Sequence, residues 1–142
     1  GLYGCLSPLD LIQPYRLEMS IPLENSLGDT LYDFWKSRVT EHLNESIAAT
    51  SNNLLLNLAS QEYFSVIDKQ QLNADIINIV FKDWKNGALK TIGVQAKRAR
   101  GTMVHYIVKN GYKSLNAIKK FNGLGYCYSA GDSNDHTMTF IR

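Results

Sequence analysis

The sequence predicts a mixed α/β domain in which strands and helices are interleaved. Three observations support this fold class. Apolar residues recur at helical spacing in two long segments, short apolar runs that are typical of strands lie between them, and the dipeptide Asn86-Gly87 separates two such runs. With 142 residues, of which 44% are hydrophobic, the chain is long enough to bury a core, so we predict a single domain over residues 1–142.

The first element is predicted in the segment "PYRLEM". Pro14 pushes the residue before it out of the helical region, and the alternation that follows favours a strand. In a strand, Arg16 and Glu18 share one face, opposite the apolar side chains of the segment. Either these two charges form a structural ion pair, or the face belongs to a binding site.

A long helix is predicted next. Thr30 has the chemistry of an N-cap, and Asp33 lies three residues further on, as in a capping box. Apolar residues then repeat at i+4 spacing for about five turns. A buried strand is predicted over Leu54–Leu58, followed by a short helix capped by Ser60.

The second half of the chain contains the clearest signal. Asn86-Gly87 is the preferred dipeptide of a type I′ turn, so the flanking runs predict a β-hairpin. We expect a helix over about residues 96–109, a stop at Asn110-Gly111, and a short helix capped by Ser114 that extends through Lys120. The segments "GYCYS" and "TMTFIR" predict a final pair of strands joined by the polar loop "AGDSND".

Charge is unevenly distributed along the chain. Residues 84–131 contain nine Lys and Arg residues and no Asp or Glu, whereas residues 1–83 contain an excess of acids. Such a block indicates a surface for an anionic partner. The phosphate backbone of a nucleic acid binds a basic surface of this kind whatever its base sequence. A solvated helix face is the alternative interpretation. The residues predicted to contact nucleic acid are Lys97, Arg98, Arg100, Lys109, Lys113, Lys119 and Lys120.

Two polar groups of residues form a second candidate site. One is in "PYRLEM", and the other follows the strand predicted at Leu54–Leu58, where α/β sheets place ligands. If both groups line one cleft, the protein is an enzyme of unknown reaction; the sequence does not decide whether it is one. The cleft candidates are Tyr15, Arg16, Glu18, Asn57, Ser60, Glu62 and Tyr63.

Other classes of function find little support. No apolar run approaches the roughly 20 residues of a membrane span, no G-x-S-x-G elbow is present, and the two cysteines lack the spacing of a zinc site. We therefore expect a cytoplasmic protein with free thiols, no metal, no cofactor and no membrane partner. "FNGLGY" has half of a helix-hairpin-helix pattern, although a turn into a strand explains it as well.

Several of these segments together resemble a known family. "GLYGCLSPLDLIQPYRLEMS", "FW" at 34–35, "NLASQEYF", "LNADII", "AKRARGTM" and "FNGLGY" are similar, in this order, to segments of the YaaA family of peroxide-stress proteins. Family members are longer and begin with a portion that contains an S-P-A-K-T motif. The chain therefore resembles the C-terminal part of a YaaA-like protein.

The resemblance implies a cytoplasmic, bacterial-type protein associated with hydrogen peroxide resistance. It further implies DNA binding, to duplex or branched DNA, and iron homeostasis that limits oxidative damage. A helix-hairpin-helix element has been attributed to the family. Two positions depart from the family pattern: Ser20 replaces the usual Gly after "PYRLEM", and His105 stands where Arg is expected.

Overall fold

The computed structural model describes residues 2–142 and contains interleaved helices and strands. The mixed α/β prediction is therefore confirmed. The helices are α1 (Leu31–Ala48), α2 (Gln61–Phe64), α3 (Gly93–Asn110) and α4 (Leu115–Ile118), with a 3₁₀ turn at Gly123–Gly125. The strands are β1 (Leu54–Asn57), β2 (Asp75–Lys85), β3 (Ala88–Lys90), β4 (Cys127–Asn134) and β5 (Thr137–Ile141).

The chain divides into two compact units. The first unit comprises the chain up to Leu54 together with Ala59–Asp75, and the second comprises Leu55–Leu58 and Ile76–Arg142. The prediction that residues 1–142 form one domain stays a prediction.

In the first unit, α1 begins as the sequence predicts. The Asp33 backbone N–H donates to Thr30 Oγ1 at 3.3 Å, and Asp33 Oδ2 accepts the Thr30 backbone N–H at 3.0 Å. This reciprocal capping box satisfies N–H groups that the first turn leaves without helical partners. The apolar stripe of α1 supplies part of a buried cluster, which comprises Met19, Leu31, Val39 and Val66.

The predicted strand in "PYRLEM" is wrong, because residues 11–18 form no strand. Met19 is buried and Leu17 is half-buried, so the apolar side chains do reach the core. The Met19 backbone N–H donates to Glu62 Oε1 at 3.3 Å, a side chain and not the backbone of a neighbouring strand. An extended segment with no strand partner cannot form a ladder.

Four strands of the sheet follow the order β1-β2-β5-β4. The fifth strand, β3, pairs with β2 outside this order. Strands β2 and β5 are parallel, and β4 and β5 are antiparallel. The predicted hairpin is confirmed: β2 and β3 pair antiparallel around Asn86 and Gly87, whose φ angles of 54° and 75° are those of a type I′ turn.

The core of the second unit is aromatic. The ring of Phe81 lies 5.0 Å from that of Tyr126 and 5.5 Å from that of Phe140, measured between centroids. Every second residue of β2 from Ile77 to Asp83 is buried, as expected for a strand with one face on a core. Ala99 and Met103 of α3 are fully buried as well.

The predicted loop "AGDSND" is wrong, because β4 continues through Asn134. The pairing of β4 with β5 is irregular between Ser129 and Asn134. Across this bulge, Ser133 Oγ accepts the Thr139 backbone N–H at 2.9 Å, and Thr139 Oγ1 donates to the Asp132 carbonyl at 2.7 Å. Polar residues that are typical of a loop therefore supply side-chain hydrogen bonds where regular backbone hydrogen bonds between the two strands are interrupted.

Candidate nucleic-acid interface

The basic residues of α3 lie on its solvent side. The helix begins at Gly93, three residues before the predicted start, and ends at Asn110, where Gly111 adopts a φ of 65°. Lys97, Arg98 and Lys109 are exposed, and Arg100 is half-buried. Three of the four basic side chains of α3 named above therefore face solvent.

Gly101 forms an open site on this face. An added Cβ at Gly101 has no atom within 4 Å. Residues three or four positions apart are neighbours on a helix surface, so Lys97, Arg98 and His105 surround Gly101. The surface of α3 at Gly101 is therefore open to a ligand, and the side chains of Lys97, Arg98 and His105 border this opening.

The basic flank does not cover the whole solvent face of α3. Val94 and Val108 are exposed at 71% and 76%, so apolar side chains lie beside the basic ones. Arg98 and Lys109, which are eleven residues apart, fall on the same flank. We therefore place the candidate interface on one flank of α3 and on the segment that follows it.

A short turn connects α3 to α4. Ser114 Oγ accepts the Ala117 backbone N–H at 3.2 Å and so caps α4, as predicted, although α4 ends at Ile118 and not at Lys120. Lys113, Lys119 and Lys120 are all exposed. Two helices joined by a turn thus present lysines beyond the end of α3.

The helix-hairpin-helix interpretation of "FNGLGY" is wrong. The 3₁₀ turn at Gly123–Gly125 leads directly into β4, so no second helix follows it. Tyr126 is fully buried and anchors this turn in the aromatic core. A helix–turn–helix pair is formed instead by α3 and α4, which lie earlier in the chain.

The two units carry opposite charge. The second unit contains eleven Lys and Arg residues and three Asp and Glu residues, a net charge of +8. The first contains four Lys and Arg and ten Asp and Glu, a net charge of −6. Basic charge is therefore concentrated in the unit that contains α3 and α4, although the whole chain is nearly balanced.

An ionic network around the buried Asp83 in the second unit was not predicted from the sequence. Asp83 is buried, its Oδ1 lies 2.7 Å from Arg142 Nη2, and its Oδ2 accepts the Tyr126 hydroxyl at 2.9 Å. Burial, the hydrogen bond to Asp83 and the charge of Asp83 raise the pKa of Tyr126 to about 12, with Arg142 opposing them. Asp83 occupies an inward position of the β2 alternation, a signal that could have identified it.

The cleft candidates are divided between the two units. Tyr15, Arg16, Glu18, Ser60, Glu62 and Tyr63 belong to the first unit, and Asn57 to the second. A cavity of about 240 Å³ in the first unit has a largely apolar lining, to which Tyr63 contributes but Arg16, Glu18 and Glu62 do not.

The cleft candidates of the first unit differ in their contacts and burial. Among residues 2–142, the structure shows no ion pair between Arg16 and Glu18, and both are exposed. Burial raises the pKa of Tyr63, and the charge of Glu62 adds to the effect. Ser60 occupies the N-cap position of α2, but its hydroxyl makes no cap hydrogen bond.

Asn57 is positioned on the sheet. Its Nδ2 donates to Asn78 Oδ1 at 2.8 Å, which ties β1 to the neighbouring strand β2. An enzymatic role for the cleft candidates stays a prediction.

Within residues 2–142, no three His, Cys, Asp or Glu side chains are grouped so as to hold a metal ion. In the same part of the chain, no helix has the length and apolar character that crossing a bilayer requires. Cys5 and Cys127 are both free thiols, and burial raises the pKa of Cys5.

Comparison with known proteins gives one consistent family. A family model described as "Peroxide stress protein YaaA" matches residues 1–132. Proteins named UPF0246 from Colwellia psychrerythraea and Shewanella pealeana are each 49% identical over 142 residues, and one from Methylibium petroleiphilum is 48% identical. The match covers 100% of this chain and 55% of each relative, so the chain spans about half the length of the curated relatives it matches.

Proposed function

The chain belongs to the YaaA family of peroxide stress proteins, and from this premise we propose that it acts in the cytoplasmic response to peroxide by binding DNA. The observation that carries the proposal is the set of exposed basic side chains on α3 and on the residues that flank α4, in a unit with a net charge of +8. Residues 84–131, which include both helices, contain no acid. A solvated helix face ordinarily mixes charges of both signs, so this surface is better suited to a polyanion.

The mode of binding follows from the residue types. Lys and Arg side chains neutralise phosphates and release condensed counterions, which supplies affinity without sequence preference. The opening at Gly101 leaves room for a phosphate group to lie against the surface of α3, within reach of the side chains of Lys97 and Arg98. The two acids of the second unit other than Asp83 lie in β4 and the turn after it, outside the basic block.

DNA binding supplies a physical route to the protection that the family name suggests. Iron cations condense on the phosphate backbone as other cations do, and a bound protein that neutralises phosphates displaces them. Peroxide then meets less iron at the DNA surface, and fewer strand breaks follow. This effect requires neither a metal site nor an enzymatic step in the chain.

Affinity for duplex DNA at two salt concentrations tests the proposal. Each phosphate contact contributes about −0.9 to the slope of log K against log salt concentration, so replacing Lys97, Arg98 and Arg100 by Ala should make that slope shallower by about 2.7. The matched control replaces three bases of the acidic unit, Lys36, Arg38 and Lys69, by Ala, which should leave the slope unchanged.

The proposal fails if the wild-type chain binds no duplex at low salt. It also fails if the Lys97, Arg98 and Arg100 variant, shown by thermal unfolding to be folded, binds with unchanged affinity and slope. Nicking of plasmid DNA by Fe²⁺ and peroxide provides the second readout. The wild-type chain and the control variant should reduce nicking, whereas the α3 variant should reduce it less.

A further inference from the structure

The second unit contains a cavity of about 220 Å³ where α3 ends and α4 begins. Two tyrosines, an asparagine and two lysines are among its lining residues: Tyr106, Asn110, Tyr112, Lys113 and Lys120. No Asp or Glu lines it. The cavity therefore combines positive charge, aromatic surface and an amide within the basic block.

Hydrogen bonds fix two walls of this cavity. The Tyr106 hydroxyl donates to the Ala117 carbonyl at 3.2 Å, which ties α3 to α4. Asn110 Nδ2 donates to the Tyr106 carbonyl at 2.7 Å. Gly111 then turns the chain with a φ of 65°.

Tyr112 and the lysines are free to contact a ligand. The Tyr112 side chain is 42% exposed although it lines the cavity. Lys113 and Lys120 are exposed and are not in either of the two ion pairs found among residues 2–142. An aromatic ring beside two ammonium groups is the combination that holds an unstacked base and its phosphate.

We propose that this cavity binds a single unstacked nucleotide at the end of a DNA strand, with its phosphate at Lys113 and Lys120 and its base against Tyr112. The inference rests on the proposed DNA binding and specifies which part of the DNA enters the protein. Sites that enclose a whole drug-sized ligand measure roughly 300–1,000 Å³, so this smaller cavity suits one ring. Bases inside a continuous duplex stay stacked and cannot enter it.

Titration with thymidine 5′-monophosphate tests the cavity independently of duplex binding. The probe is added to the chain and followed through NMR shifts of the Tyr112 ring, with thymidine alone and inorganic phosphate alone as comparisons. The monophosphate should bind at least tenfold more tightly than either part, because it uses both the ring and the lysines. Equal binding of inorganic phosphate and the monophosphate would overturn the assignment of the base to Tyr112.

A second experiment compares two duplexes of equal paired length. One is blunt and lacks terminal phosphates, and the other carries 5′-phosphorylated single-stranded overhangs. The wild-type chain should prefer the overhang duplex, and Tyr112→Ala should lose about 5- to 150-fold of that preference, the range expected for one base stacked on an aromatic ring. Tyr112→Phe should retain the preference, Lys120→Gln should reduce it, and Trp84→Ala, which removes a 62% exposed aromatic elsewhere in the unit, should not change it.

The outcomes separate this inference from the proposed function. If the wild-type chain binds both duplexes with steep salt dependence but equal affinity, and the monophosphate does not bind, the cavity proposal is wrong and the basic-surface proposal stands. If neither duplex binds, the proposed function fails, and only monophosphate binding that Tyr112→Ala abolishes would support the cavity.

Discussion

Gly101→Ala distinguishes a DNA-binding face from a solvated one. Gly101 lies inside α3 with helical backbone geometry, and an added Cβ has no atom within 4 Å. Alanine in a helix interior is favoured over glycine by roughly 0.5–1 kcal/mol, largely because the unfolded chain loses less entropy on folding. The substitution should therefore stabilise the chain by that amount.

The same methyl group should weaken DNA binding. It occupies the opening between Lys97, Arg98 and His105 and keeps a phosphate from lying against the helix surface within reach of Lys97 and Arg98. Loss of one phosphate neutralised by these side chains changes the slope of log K against log salt concentration by about 0.9. Stability is measured by urea unfolding, and affinity by titration of a fluorescent duplex at 50 and 200 mM salt.

Gly131→Ala is the matched control. It adds the same methyl group to β4, also with no atom within 4 Å. Its DNA affinity should equal that of the wild-type chain. If Gly101→Ala is more stable but binds DNA as the wild-type chain does, phosphate does not approach Gly101. If Gly101→Ala unfolds more easily, a neighbouring group crowds the added methyl group.

Three further predictions concern stability. Tyr126→Phe removes the donor to the buried Asp83 carboxylate and should cost about 1.5–3 kcal/mol in urea unfolding; a loss below about 0.5 kcal/mol would contradict the network. The pKa of Tyr126 is raised to about 12, so the protonated hydroxyl contributes its full share to the free energy of unfolding at a pH below the ordinary pKa of 10. That share is lost as the pH rises through about 12. The loss of stability over this pH range should be smaller in Tyr126→Phe. Thr30→Ala should lower the free energy of unfolding by about 1 kcal/mol. The hydrogen bond from Thr30 is the largest cause of the lowered pKa of Asp33, so in an NMR titration of this variant that pKa should return toward its usual range. An unmoved pKa would argue against the capping box. Gly28→Ala places a Cβ 2.4 Å from Asp33 Cβ at a backbone φ of 153°. The free energy of unfolding, measured by thermal unfolding, should therefore fall by at least about 1–3 kcal/mol. An unchanged stability would show that the chain relaxes around the new methyl group.

The sequence by itself determined the elements that local chemistry specifies. The Thr30 capping box and the Asn86-Gly87 turn were predicted because each depends on residues within three positions of one another. The helix that contains Lys97, Arg98, Arg100 and Lys109 was also predicted, because its spacing of apolar residues and its stop at Asn110-Gly111 are local signals.

Tertiary structure decided what depends on partners distant in the chain. "PYRLEM" has the pattern of a strand but finds no strand to pair with, since its Met19 N–H is bound by a side chain 43 residues away. Asp83 contacts Arg142 across 59 residues, and no local signal specifies that pairing. The cavity at Tyr112 likewise forms only when α4 folds back toward α3. Local rules fix periodicity and caps, whereas burial and pairing are properties of the assembled chain.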